Sequence, residues 1–321
     1  MNETALLDIR NLSACYCGRG EILHDVSLLM GQGEIVCIIG ESGCGKSTLL
    51  RAILRMPGRV QISSGEIIYR GKNLCDIPDG ELRRLRGAVI GMVFQEPVVS
   101  LDPIRKIGGQ FFDTMRAHKK ISRKEAEKTA KELFMKMELT YSERVLKSCP
   151  VQLSGGMNQR VAIALAMALE PDILLADEPT SALDVTVQAQ IAEELMKLRD
   201  EFGTGILLVT HNMGVVAKMA DKVAVMYGGR IVEFGCRERV LNSPAHPYTR
   251  ALINAIPKLD GTPPKSIPGS VQERFPAEGC AFEPRCPYAE ENCSSLILKK
   301  FPVRQEHWTL CPKALERVMN T

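Results

Sequence analysis

Three short apolar runs stand out along the chain: Glu34-Ile35-Val36-Cys37-Ile38-Ile39, Ile173-Leu174-Leu175-Ala176 and Gly205-Ile206-Leu207-Leu208-Val209. A strand covered on both faces shows no alternation, so these runs predict central strands of a parallel sheet. Helical spacing follows at Lys46 to Leu54 and at Asp184 to Arg199. Buried strands each answered by a helix predict α/β layering, with helices on both faces of the sheet. A further strand, Val89 to Phe94, precedes a stretch from about Pro97 to Gln152 that reads as helices alone, Arg123 to Met137 among them. That stretch is expected to be a helical insertion. Val223 to Tyr227, then Gly228-Gly229, then Arg230 to Phe234 predicts a β-hairpin with a tight turn.

Composition changes the picture mainly at the C-terminal end. Seven of the eleven cysteines are scattered through the first 236 residues, while Cys280, Cys286, Cys293 and Cys311 sit together in the tail. Eleven of the eighteen prolines also lie after position 240. A boundary is therefore expected near residues 236–260, between a regular body and a Pro- and Cys-rich extension. The body is assigned to 1–255, with a helical subdomain at about 97–157, and the extension to 256–321. An odd number of cysteines does not suit a secreted disulfide framework. The longest apolar stretch, Val161 to Leu169, is nine residues, too short to span a bilayer. Met1-Asn2-Glu3-Thr4 opens without the pattern of a signal peptide, so a cytosolic protein is expected unless a partner tethers it. The 321 residues carry a formal net charge of +3, too small to argue for nucleic acid.

The chemistry concentrates at strand ends. Gly40-Glu41-Ser42-Gly43-Cys44-Gly45-Lys46-Ser47 is the phosphate-loop pattern G-x-x-x-x-G-K-S, placed after a buried strand and opening a helix, with Thr48 next. Glycines allow the loop amides to turn toward phosphate oxygens, and the helix N-terminus adds a favourable partial charge. Lys46 supplies a cation for the outer phosphates, and the Ser47 hydroxyl is a hard oxygen ligand for Mg²⁺. Asp177 and Glu178 follow the run 173–176, where a carboxylate can hold Mg²⁺ and its neighbour can activate water. Leu153-Ser154-Gly155-Gly156-Met157-Asn158-Gln159-Arg160 is a second glycine-assisted helix start. Cys44, beside Lys46 and a helix N-terminus, has two readings: a redox-sensitive thiol, or a small residue that fits the loop. Cys37 reads as core.

The segment 153–160 resembles the LSGGQ signature of ABC ATPases, with Met157 in the Gln position. That resemblance implies an ABC-type nucleotide-binding domain: an α/β P-loop NTPase with a parallel sheet core, an antiparallel β subdomain, a helical insertion and here an irregular C-terminal extension. It also implies that Ser154, Gly155 and Gly156 face ATP held by a second ATPase subunit. Gln95 is placed like the Q-loop glutamine, which shares the metal site with Ser47 and Asp177. Ser181-Ala182-Leu183-Asp184 is similar to the D-loop, and His211 to the switch histidine that contacts the γ-phosphate. Tyr16 is placed like the aromatic residue that stacks on adenine. Catalysis is thereby assigned to Glu178, His211 and Gln95, and nucleotide binding to Tyr16, Gly40, Ser42, Gly43, Cys44, Gly45, Lys46, Ser47, Thr48, the signature and Asp184.

Gln95-Glu96-Pro97-Val98-Val99-Ser100-Leu101-Asp102-Pro103, Leu183 to Gln190, and His246-Pro247-Tyr248-Thr249 narrow the resemblance to ATP-binding subunits of dipeptide, oligopeptide and nickel permeases. Such subunits imply a related or identical ATPase partner, two transmembrane permease subunits, and an extracytoplasmic solute-binding protein. They imply import, from the cytoplasmic face of the membrane, with ATP and Mg²⁺ as cofactors. The cargo stays open among dipeptides, longer peptides, nickel and metallophores. In the tail, Cys280-x5-Cys286-x6-Cys293-x17-Cys311 contains no C-x-x-C pair, against the commonest zinc patterns. Some peptide-permease ATPases carry a similar extension that holds a [4Fe–4S] cluster, and Cys286-Pro287 and Cys311-Pro312 echo ferredoxin ligands. Cluster, zinc and free thiols are the three readings. Two rival functions remain. One is an ABC ATPase acting on nucleic acid or ribosomes, which the single phosphate loop and balanced charge disfavour. The other is a metal or redox sensor governed by the tail.

Overall fold

The apolar runs form three strands, Ile35–Ile39, Ile173–Asp177 and Gly205–Val209, whose every residue is buried. In chain order the strands are β1 (Leu7–Tyr16), β2 (Glu21–Met30), β3 (Ile35–Ile39), β4 (Val60–Tyr69), β5 (Lys72–Asn73), β6 (Ile90–Val93), β7 (Ile173–Asp177), β8 (Gly205–Val209), β9 (Lys222–Tyr227), β10 (Arg230–Cys236), β11 (Phe301–Arg304) and β12 (His307–Thr309). The structure is a computed structural model and describes residues 5–18, 20–56, 60–181, 183–257, 263–269, 275–276 and 278–314. Two compact units result. One takes Met1–Leu6, Met30–Ile35 and Asp76–Met219, the other Leu7–Leu29, Val36–Cys75 and Ala220–Thr321.

In the first unit β6, β7 and β8 run parallel, with Met92 opposite Leu175 and Leu175 opposite Leu207. The expected helical insertion is present as helices Ile107–Arg116, Arg123–Lys136, Ser142–Lys147 and Gly155–Met167. Phe111 and Phe134 pack edge to face at 5.4 Å in its core. Ser122 and Glu125 form a capping box that fixes the start of the second of these helices. The helix expected over 184–199 runs instead over Val185–Phe202. Asp184 is its N-cap, and Gly203 ends it in the left-handed conformation at φ 66°. Among the described residues no helix is long and apolar enough to cross a membrane.

In the second unit β3 pairs parallel with β9, and β9 returns antiparallel as β10. Gly228 and Gly229 both have positive φ, 55° and 75°, as a tight hairpin turn of this hand requires. A Cβ on Gly229 would lie 2.0 Å from the Ile22 carbonyl oxygen, so nothing larger fits. Within the otherwise irregular extension, β12 and β11 add to the free edge of β10, with Phe234 opposite Trp308 and Pro302 opposite Trp308. A separate antiparallel sheet has the order β2-β1-β4-β5.

Candidate functional site

The phosphate loop leaves the end of β3 and enters helix Lys46–Ile53. Gly40 adopts φ 154°, and a Cβ there would approach the Met226 carbonyl oxygen to 2.1 Å. Gly45 occupies the N-cap at φ 105° and no side chain caps this end, an arrangement suited to an anionic oxygen. Lys46 is 7% exposed and folds back over the loop. Its ammonium donates to the carbonyl oxygens of Gly40 and Glu41, both at 2.8 Å. Ser47 and the buried Thr48 follow on the first turn. Tyr16, half-buried at the end of β1, places its hydroxyl 3.3 Å from Thr48 Oγ1 and accepts a hydrogen bond from Arg51 at 3.2 Å. The tyrosine is thus anchored to the helix that the loop opens. Burial pushes the Cys44 thiol pKa up, outweighing the attraction of Lys46. The small-residue reading of Cys44 is the one this environment favours.

In the other unit β7 delivers Asp177, 3% exposed, at its C-terminal end. Glu178 comes next with φ 46°, a left-handed backbone that non-glycine residues seldom adopt. Its amide donates to the Val209 carbonyl on β8 at 2.9 Å, which holds the strained residue in place. One carboxylate oxygen of Glu178, Oε2, accepts from Gln95 Nε2 at 3.3 Å and lies 3.1 Å from His211 Nδ1. The three residues assigned to catalysis therefore meet on a single atom. Strain at such a point is a recurrent mark of a working residue.

Ser154 caps helix Gly155–Met167, accepting from the Met157 amide at 3.3 Å. Gly155 is exposed, with open space where a Cβ would stand. Arg160 turns away from this end and pairs with Glu194, whose side chain is 1% exposed, at 2.9 Å. Asp184, assigned to the nucleotide, caps its own helix here by accepting from the Val187 amide at 3.0 Å. Ala182 of the D-loop segment lies outside the described residues.

The four tail cysteines come together. Cys280, Cys286, Cys293 and Cys311 line one cavity, which His246 and Phe282 also border. The Cys280 amide donates to the Cys293 carbonyl at 2.9 Å. The Cys280 thiol is pushed up to about 11, first by burial and then by the nearness of the other three sulfurs. Among the described residues no three His, Cys, Asp or Glu side chains are grouped to hold a single metal ion.

Residues 23–181 match the family "ABC transporter", and residues 232–293 match "Oligopeptide/dipeptide transporter, C-terminal region". The dipeptide transport ATP-binding protein DppD of Bacillus subtilis is 41% identical over 290 residues, covering 88% of this chain and 87% of that protein. The chain belongs to the ABC transporter family, among the ATP-binding subunits of the peptide-import branch. The oligopeptide transport ATP-binding protein OppD of Escherichia coli is 40% identical over 301 residues, covering 91% of this chain and 88% of that one. A solved dimeric, post-hydrolysis state of the ATP-binding cassette MJ0796 bound to ADP and Pi superposes with a TM-score of 0.64 at 32% identity. It covers 72% of this chain and 98% of its own. The protein is thus an ABC ATPase, and its fold is the ABC nucleotide-binding fold.

Two contacts at the phosphate loop escaped the sequence reading. Glu41, Tyr248 and Arg285 meet there, although Glu41 and Arg285 are 244 positions apart. No local pattern carries such a signal.

Proposed function

We propose that this ABC ATPase powers the import of peptides through two membrane permease subunits, working from the cytoplasmic face as one half of an ATP-sandwiched pair. The observation that carries the catalytic part is the meeting of Gln95 and His211 on the Glu178 carboxylate. The peptide cargo is supported by the match of residues 232–293 and by the two named relatives.

In this reading arriving phosphate oxygens replace the Gly40 and Glu41 carbonyls as partners of Lys46, so the cation is already in place. Mg²⁺ would neutralise charge on the phosphates, and Ser47, Gln95 and Asp177 are the residues whose oxygens would hold it. Glu178 accepts the proton of the attacking water, and Gln95 and His211 orient its carboxylate. Ser154, Gly155 and Gly156 offer an open helix start to the partner's nucleotide. The test is hydrolysis by the detergent-solubilised complex of this subunit with its permeases. ATPase stimulated by a peptide-loaded binding protein is the expected result. Stimulation by a nickel chelate and not by peptides would replace the cargo and leave the ATPase intact.

The cysteine cavity fits a [4Fe–4S] cluster held by Cys280, Cys286, Cys293 and Cys311. In support, the four cysteines line one cavity. Such a cluster cross-links a segment that has few apolar residues of its own. Anaerobically purified protein should carry about four iron and four acid-labile sulfide per chain. Zinc at one per chain, or no metal, would return the tail to its other two readings.

A further inference from the structure

Arg285 lies directly before Cys286, yet its side chain serves the phosphate loop. It is 7% exposed and every nitrogen of its guanidinium is engaged. Nε donates to the Pro268 carbonyl at 2.7 Å, Nη1 to Glu41 Oε2 at 2.7 Å and the Tyr227 hydroxyl at 3.2 Å, and Nη2 to Glu41 Oε1 at 3.0 Å. The pairing with Glu41 is the two-pronged form in which guanidinium and carboxylate bind most firmly.

Glu41 is the second residue of the phosphate loop, and it is pinned at three points. Its carboxylate is held by Arg285, its amide donates to the Tyr248 hydroxyl at 2.8 Å, and its carbonyl accepts from Lys46 at 2.8 Å. Two of the three partners come from the C-terminal end of the chain. Without Arg285, a free carboxylate would stand in the loop that must receive a polyphosphate, and like charges repel strongly at such distances. The clamp therefore does two things: it holds the loop's first turn, and it cancels the charge of Glu41.

We propose that Arg285 is a positioning residue for nucleotide binding, so that the cysteine-bearing extension sets the affinity of the phosphate loop for ATP. The extension is joined to β10 elsewhere as well. His307 Nε2 lies 2.8 Å from the buried carboxylate of Glu233. That second joint touches no residue of the loop, which makes it the control.

The inference rests on loop 40–47 holding the nucleotide's phosphates. The experiment measures the equilibrium Kd for Mg·ATP, the ATPase KM and kcat, and the melting temperature of the full chain. Arg285→Gln should weaken ATP about tenfold and raise KM in step, with kcat at saturation within about twofold, a change that corresponds to about 1.4 kcal/mol of lost binding. Arg285→Lys should recover part of the loss. The double variant Arg285→Gln, Glu41→Gln should bind more tightly than Arg285→Gln alone, because the uncancelled charge is gone. His307→Asn should lower the melting temperature and leave Kd unchanged. An unchanged Kd in Arg285→Gln would overturn the proposal, as would a Kd loss in His307→Asn equal to that of Arg285→Gln. A parent protein that binds no Mg·ATP would overturn this inference and the phosphate-loop reading together.

Discussion

The phosphate loop and the cysteine-lined extension are built on opposite terms. The loop hangs between a fully buried strand and an eight-residue helix, and backbone geometry places its chemistry. Among its described residues the extension has two short strands and two single turns, and side chains hold it. Glu233, wholly buried, accepts from the Ala245 and His246 amides at 2.8 and 2.7 Å and faces His307. Tyr227 and Tyr248 form an aromatic cluster with Phe275 and Phe282 of the extension, with ring separations of 4.5 to 5.4 Å. A motif carried by backbone is readable from local sequence. A segment carried by long-range side-chain contacts is not, and it fails in a different way when cut.

That contrast predicts which changes destroy function and which destroy structure. Lys46→Ala should abolish measurable Mg·ATP binding while moving the melting temperature little, because the amine neutralises loop carbonyls and props up no core. A large drop in melting temperature would show that Lys46 supports the fold as well as the nucleotide. Glu233→Ala should do the reverse and lower unfolding free energy by about 3 kcal/mol, the usual cost of stripping one partner from a buried charged contact. Denaturant titration reads it, and a loss near zero would mean that the extension is not anchored there.

Smaller effects sharpen the same comparison. Asp184→Ala should cost about 1 kcal/mol as a lost N-cap, whereas Asp184→Asn, an equal cap, should cost almost nothing. Turnover that falls in Asp184→Asn without loss of stability would separate a role at the nucleotide from the cap. His24 gives the smallest effect. Burial and Arg230 hold its pKa below the ordinary 6.5, so the folded state resists its protonation. Its contribution is therefore complete above pH 6.5 and is lost as pH falls through the depressed folded value. His24→Gln should flatten the acid side of the melting curve slightly, and an unchanged slope would assign that slope to other groups.

Much of the site was legible because its physics is local. β3, β7 and β8 are buried on both faces and so lack alternation, and the glycine pair at 228–229 marks its turn unaided. β4 is harder to read: half of Val60–Tyr69 is exposed, and Gln61, Ser63, Ser64 and Glu66 are mixed among its apolar residues. The helix end at Phe202 was missed although Gly203 signals it, since apolar spacing was followed only as far as Arg199. The left-handed backbone of Glu178 leaves no trace in composition. The convergence of four cysteines was expected from their crowding in the tail, but the clamp of Arg285 on Glu41 was not. It joins two residues whose own neighbours point to different jobs.

The central claim is that Glu178 is the base of an ATPase whose binding loop stands without it. The direct test is the parent protein against Glu178→Gln, with Kd for Mg·ATP and steady-state turnover measured on the same preparations. An unchanged or tighter Kd is expected, with turnover lower by about 10²- to 10⁴-fold, the range that a positioned general base supplies. Parental turnover in Glu178→Gln would contradict it.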